Sequence, residues 1–250
     1  MISLVAKHES ASLLRLPVTW VIAAIIACVF AFLFLQQLEV YLSRQAELAL
    51  LDHPPGLSAW LSTNFVAPAS IITLLLGPLF AMRSFSDEYR LDTLALWQSS
   101  PVSTTSLVLG KFLGVSLVLC ITLSVTLLMF IGIAFISTVD WKQVASAMLG
   151  LYLLAAACAA TGLFFSSLTR HAMVAVLASL AALALFWLVG TASFNALPIP
   201  GIGATSLANH IGGFHHGYLS TNDLAFFVLY IGLFLALTVI RLDALRHVNR

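Results

Sequence analysis

The stretch LVLGKFLGVSLVLCITLSVTLLMFIGIAFI, from Leu107 to Ile136, carries a single charged residue, Lys111, one turn from its start. At 1.5 Å per residue, a helix of this length exceeds the roughly 30 Å of hydrocarbon in a bilayer. A soluble helix would show a polar stripe at helical period, whereas here the polar positions are isolated hydroxyls. The segment reads as a transmembrane helix long enough to tilt or project. Working outward, five more runs approach or reach the roughly 20 residues a span requires. They are Val18–Leu38, Ala59–Met82, Val144–Leu168, Ala172–Phe194 and Leu224–Ile240. The fourth and fifth spans are parted only by a tight turn at Thr169, Arg170 and His171. The expected fold is therefore an all-α polytopic membrane protein of six transmembrane helices, forming a single transmembrane domain over residues 1–250.

Composition agrees. The chain is 61% hydrophobic and 8% charged, with a mean hydropathy of +1.04. A soluble domain carries roughly 25% charged residues to wet its surface. A net charge of +1 offers no footprint for nucleic acid. Cys28, Cys120 and Cys158 all lie in apolar runs and form no C-x-x-C pair, so they read as small hydrophobes. Ile25-Ile26-Ala27-Cys28 loosely resembles a lipoprotein cleavage box. However, the run stays apolar from Val29 to Leu35, which favours a retained span.

The basic residues set the expected orientation. With the N-terminus inside, Lys7, Arg15, Arg83, Arg90, Lys111, Arg170, Arg241, Arg246 and Arg250 are cytoplasmic, against Arg44 and Lys142 outside. This bias places both termini in the cytoplasm, as for a bacterial inner-membrane protein. Trp20, Trp60 and Trp141 fall near span ends, as interfacial anchors do. Before Pro17, the residues Leu4, Val5, Ala11, Leu13 and Leu14 alternate with Lys7, His8, Glu9 and Arg15. That pattern predicts a short amphipathic helix on the inner leaflet.

The middles of the spans hold no Asp, Glu, Lys, Arg or His. Ion- and proton-coupled transporters commonly place such groups at depth, so a proton relay is disfavoured. Lys111 lies close enough to an end to snorkel. No G-x-x-x-x-G-K-[ST] loop is present, so any ATP and Mg would be bound by a partner. Catalytic pairs of the H-E-x-x-H, Ser–His or Asp–Asp type are missing at depth, which argues against an intramembrane enzyme. Thr73, Ser116, Thr122, Ser124, Thr126, Thr161 and Ser179 read first as packing or carbonyl back-bonding groups. The sharper alternative makes Ser116, Thr122 and Thr126 part of a substrate path. Gly110-x-x-x-Gly114, and Ala155 and Ala156 with Ala159 and Ala160, suggest close helix contact.

Between the second and third spans lies the only sizeable cytoplasmic loop, RSFSDEYRLDTLALWQSSPV over Arg83–Val102. Arg83 with Asp87, and Asp87 with Arg90, are helical charge pairs. Leu91, Leu94 and Trp97 offer an apolar stripe. Pro101 would stop the helix, and Ser103 or Thr104 would cap the next. A charged amphipathic helix here either lies solvated or docks into a partner's groove.

This loop, continued by Val108-Leu-Gly-Lys-Phe, resembles the ABC-2 family of ABC transporter permeases, most closely its gliding-motility and copper-enzyme-maturation members. Arg83, Phe85, Glu88, Thr93, Leu96, Ser100, Pro101, Val102, Gly110, Lys111 and Phe112 match the family pattern, while Asp92 replaces its Gly and Ala95 its Glu. The resemblance implies a cytoplasmic coupling helix between spans 2 and 3, seated in an ABC ATP-binding subunit present in two copies. Arg83, Phe85, Asp87, Glu88, Arg90, Thr93, Leu94 and Trp97 would make that contact, with Pro101, Gly110 and Lys111 opening the next span. It also implies a second permease copy or permease-like chain. The N-terminal helix would be an interfacial connecting helix, and re-entrant helices would precede span 6. The expected function is the permease subunit of an ATP-driven exporter that is not itself an enzyme and binds no cofactor. A non-transporting assembly or anchor component of a surface or enzyme-maturation machine is the alternative.

The outer segment Phe194–Asp223 has no Lys or Arg and is rich in Gly and Pro. His210, His215 and His216, with Asp223, are weak metal candidates. Their spacing fits no compact motif, so no metal is expected.

Overall fold

The computed structural model describes residues 2–50, 56–90, 103–135, 137–189 and 205–248. All regular structure among them is helical: α1 (Ile2–Arg15), α2 (Pro17–Ser43), α3 (Gln45–Leu48), α4 (Leu57–Asn64), α5 (Val66–Ala81), α6 (Arg83–Arg90), α7 (Thr104–Ala134), α8 (Trp141–Ser166), α9 (Ala172–Leu188), α10 (Leu207–His215) and α11 (Thr221–Val248). Five stretches are long and apolar enough to cross a membrane: α2, the α4–α6 stretch, α7, α8 and α11. The remaining expected span, Ala172–Phe194, is a shorter apolar helix over Ala172–Leu188, and its last residues lie outside the described set.

The second expected span is broken. Helix α4 ends at Asn64 and α5 begins at Val66, because Pro68 in the first turn of α5 has no N–H to continue the ladder from α4. The charged stretch from Arg83 continues the same rod as α6 instead of leaving it as a loop. On α7, Ser103 is the cap, accepting from the Ser106 amide at 3.3 Å.

Helix α8 occupies the centre, packed by α5, α7, α9, α10 and α11. Its contact with α5 is built from small residues. A methyl group at Gly77 would overlap Cys158, and one at Gly162 would come within 2.8 Å of the Ala81 Cβ. Lipid supplies no hydrophobic drive between helices, so backbone approach of this kind, with its dispersion contacts, holds them together. Gly110 and Gly114 serve a different neighbour from a second span. They receive Val5 and Glu9 of α1, where an added Cβ would sit 2.6 and 2.7 Å away. Helix α1 thus lies across the start of α7, burying Val5 and Leu13.

Most span hydroxyls bond their own helix four residues back. Thr73 donates to the Ala69 carbonyl, Thr122 to Val118, Ser124 to Cys120, Thr161 to Ala157 and Ser179 to Ala175. Helix α2 is the least enclosed span, with Trp20, Ile25, Phe32 and Leu35 all more than half exposed.

Candidate coupling site

At the end of the bundle that carries the basic residues, α1, α6 and α7 meet around one buried cation. The Lys111 ammonium lies 2.8 Å from Glu88 Oε1 and 3.2 Å from Glu9 Oε2. It also donates to the Ser84 carbonyl at 2.6 Å and sits 5.0 Å from the centroid of the Phe85 ring. Ser84 Oγ donates to the other Glu9 oxygen at 2.7 Å. Lys111 is only 3% exposed, so it does not snorkel to water. Two carboxylates and a carbonyl stand in for the solvent it lost. A cavity of about 280 Å³ opens beside the cluster, bordered by His8, Ser12, Arg83 and Asp87.

The opposite side of α6 is held by one serine. Ser166, the last residue of α8, accepts from the amides of Phe85 and Ser86, both at 3.1 Å. It donates to the Met82 carbonyl at 2.9 Å, and Ser86 Oγ returns a bond to the Ser166 carbonyl at 3.2 Å. The junction of α5 and α6 leaves backbone groups needing partners, and Ser166 supplies them from α8.

The sequence-predicted residues therefore divide. Phe85 is fully buried and Glu88 points into the cluster. Arg83, Asp87 and Arg90 stay outside, with Asp87 pairing to Arg90 at 3.6 Å and not to Arg83. Thr93, Leu94, Trp97 and Pro101 lie outside the described residues. Gly110 and Lys111 open α7 as contact points for α1 and α6. Glu9, Ser84, Ser86 and Ser166 are the members that sequence reasoning missed. The only signal for Glu9 was its place on the polar face of an amphipathic helix.

Compared with known protein families, residues 3–244 match the family described as ABC-2 family transporter protein. The chain belongs to that family. Comparison with curated proteins gave no match. The family is the membrane component of ABC transporters, so this ABC-2 protein is a multi-pass membrane protein of permease type, and proteins of its family work with ABC ATPase subunits. The match stands at family level and does not reach the gliding-motility and copper-maturation grouping.

In this ABC-2 chain the α7 hydroxyls do not converge. Thr122 and Thr126 share a face, while Ser116 lies round the helix from Thr122. Thr122 is satisfied by back-bonding, whereas Ser116 and Thr126 are buried hydroxyls with no hydrogen-bond partner. The histidines separate as well. His210 Nδ1 bonds Asp223 at 2.6 Å and its ring stacks on Phe226. His215 shares a 3.2 Å hydrogen bond with Ser70, and His216 is exposed. Among the described residues no three His, Cys, Asp or Glu gather as metal ligands. These contacts instead dock α10 onto α5, α8 and α11, helped by Ser146 donating to the Phe214 carbonyl and by Phe214 lying against Gly150.

Proposed function

We propose that this chain is the permease half of an ABC exporter in a bacterial inner membrane, and that α6 is the lever through which a separate ATPase moves it. The observation that carries this reading is the two-sided anchoring of α6. Lys111 ties it to α7 and α1, and Ser166 ties it to α8. A push on its outer face would reach three other helices without a slack joint. That face carries the exposed charges Arg83 and Arg90 and the half-buried Asp87, suited to a polar docking groove. Thr93, Leu94 and Trp97 would extend the docking segment. The positive-inside bias places this end of the bundle, with both termini, in the cytoplasm.

ATP and Mg would be bound by two copies of the partner subunit. A second permease would complete the pathway, and the open apolar flank of α2 leaves room for such a partner as well as for lipid. Ala172–Phe194 would complete a sixth span, and α10 would belong to a re-entrant pair before the last one. The unpaired hydroxyls of Ser116 and Thr126 support a path along α7, since a buried hydroxyl without a partner is costly unless something passing can satisfy it.

The experiment is reconstitution of the chain with its ATPase in liposomes. Charge reversal of the Asp87–Arg90 pair, Asp87→Arg with Arg90→Glu, should weaken ATPase association, whereas Glu88→Lys should leave insertion intact but uncouple hydrolysis from transport. Normal assembly and normal coupling in both variants would reject the lever assignment.

A further inference from the structure

A second cavity, of about 190 Å³, lies at the same end of the bundle, lined by Tyr89 of α6, Leu168, Thr169 and Arg170 of the turn after α8, and Arg241 and Leu245 of α11. Neither guanidinium has a carboxylate partner among the described residues. Both side chains reach solvent, and two like charges facing one cavity favour an anion between them. The Tyr89 hydroxyl is buried and has no hydrogen-bond partner, and both arginines are within electrostatic reach of it. A cavity with two forked donors and a phenol suits a phosphate group.

The walls say where that phosphate comes from. Leu168 follows the end of the α8 span, and Leu245 continues the last turns of α11. The site therefore lies where a membrane helix gives way to headgroups, with apolar side chains beside the charges. Basic pockets between transmembrane helices at this depth are suited to anionic headgroups. We infer that Arg170, Arg241 and Tyr89 bind the phosphate of an anionic phospholipid, such as phosphatidylglycerol. Bound there, the lipid bridges α6 to α11 and to the α8–α9 turn, so membrane composition bears on how α6 is seated. The inference uses the membrane setting of the family and does not depend on ATPase coupling.

The test is native mass spectrometry of the full chain in detergent, titrated with phosphatidylglycerol or phosphatidylcholine. The expected result is a saturable phosphatidylglycerol adduct that survives excess inorganic phosphate. Arg170→Gln with Arg241→Gln should weaken it by about tenfold or more, the scale of lost charge-assisted hydrogen bonds. Tyr89→Phe should weaken it less while leaving the charge unchanged, and it serves alone if the double variant fails to fold. Lys7→Gln with Arg15→Gln removes two charges from the same end of the bundle but none from the cavity, and should leave the adduct intact. Equal binding of phosphatidylcholine, an adduct unchanged in folded variants of the cavity, equal loss in the Lys7 and Arg15 control, or full displacement by inorganic phosphate would each overturn the assignment.

Discussion

Lys111 holds its charge at 3% exposure because Glu9 and Glu88 face it from two other helices. Removing one member of such a cluster strands the others, which costs about 3–5 kcal/mol for a buried pair. Lys111→Met should therefore lower the melting temperature of the detergent-solubilised protein far more than Glu88→Gln, which leaves Glu9 to balance the lysine. Equal melting of the two variants would show that the cluster does not depend on its cation. His215 makes the pH case. Burial, with a smaller push from His216, holds its imidazole at a pKa of about 4, below its ordinary 6.5. The folded state therefore keeps it neutral where the unfolded chain would take up a proton. Its stability contribution is full above about pH 6.5 and falls as the pH drops toward 4. Thermal melts between pH 7.5 and 4.5 should show this loss, and His215→Asn should flatten the curve in that window.

At the scale of elements, glycine decides which helices touch. A side chain at Gly77 runs into the Cys158 side chain and backbone, so Gly77→Val should wedge α5 from α8 and cost about 1–3 kcal/mol or more. Gly132→Ala in α7 meets nothing within 4 Å, and should leave the melt unchanged or raise it slightly. The spans were legible because contact with lipid demands length and apolar composition, which a single run such as Leu107–Ile136 displays. Docking partners were not. Gly110 and Gly114 announced a close contact, but nothing local said that α1, about a hundred positions away, would fill it. Lys111 read as a span-end lysine because one carboxylate partner, Glu9, is 102 residues distant, and the other, Glu88, reads as part of a segment facing an outside partner. The break at Phe65 did have a local sign in Pro68, hidden by the unbroken hydropathy on either side. Ser166 gave no sign at all, since one serine near a span end has the same appearance whether it caps its own helix or clasps another.

For the whole molecule, the described helices form one body around α8, with α6 fixed to it at the basic end. A hydroxyl path along α7 predicts that Thr126→Val changes substrate stimulation of ATP hydrolysis while holding or raising the melting temperature, since it removes a buried hydroxyl that has no partner. Unchanged stimulation would remove Thr126 from the path. The central claim, that an external ATPase drives this bundle through α6, is tested most directly by purifying the full chain from its native membrane and assaying what remains bound. The account predicts a retained ATP-binding-cassette polypeptide whose ATP hydrolysis co-elutes with the chain, both reduced by Asp87→Arg with Arg90→Glu at unchanged melting temperature. Folded, monodisperse protein that retains no ATP-binding polypeptide and no hydrolysis would contradict it.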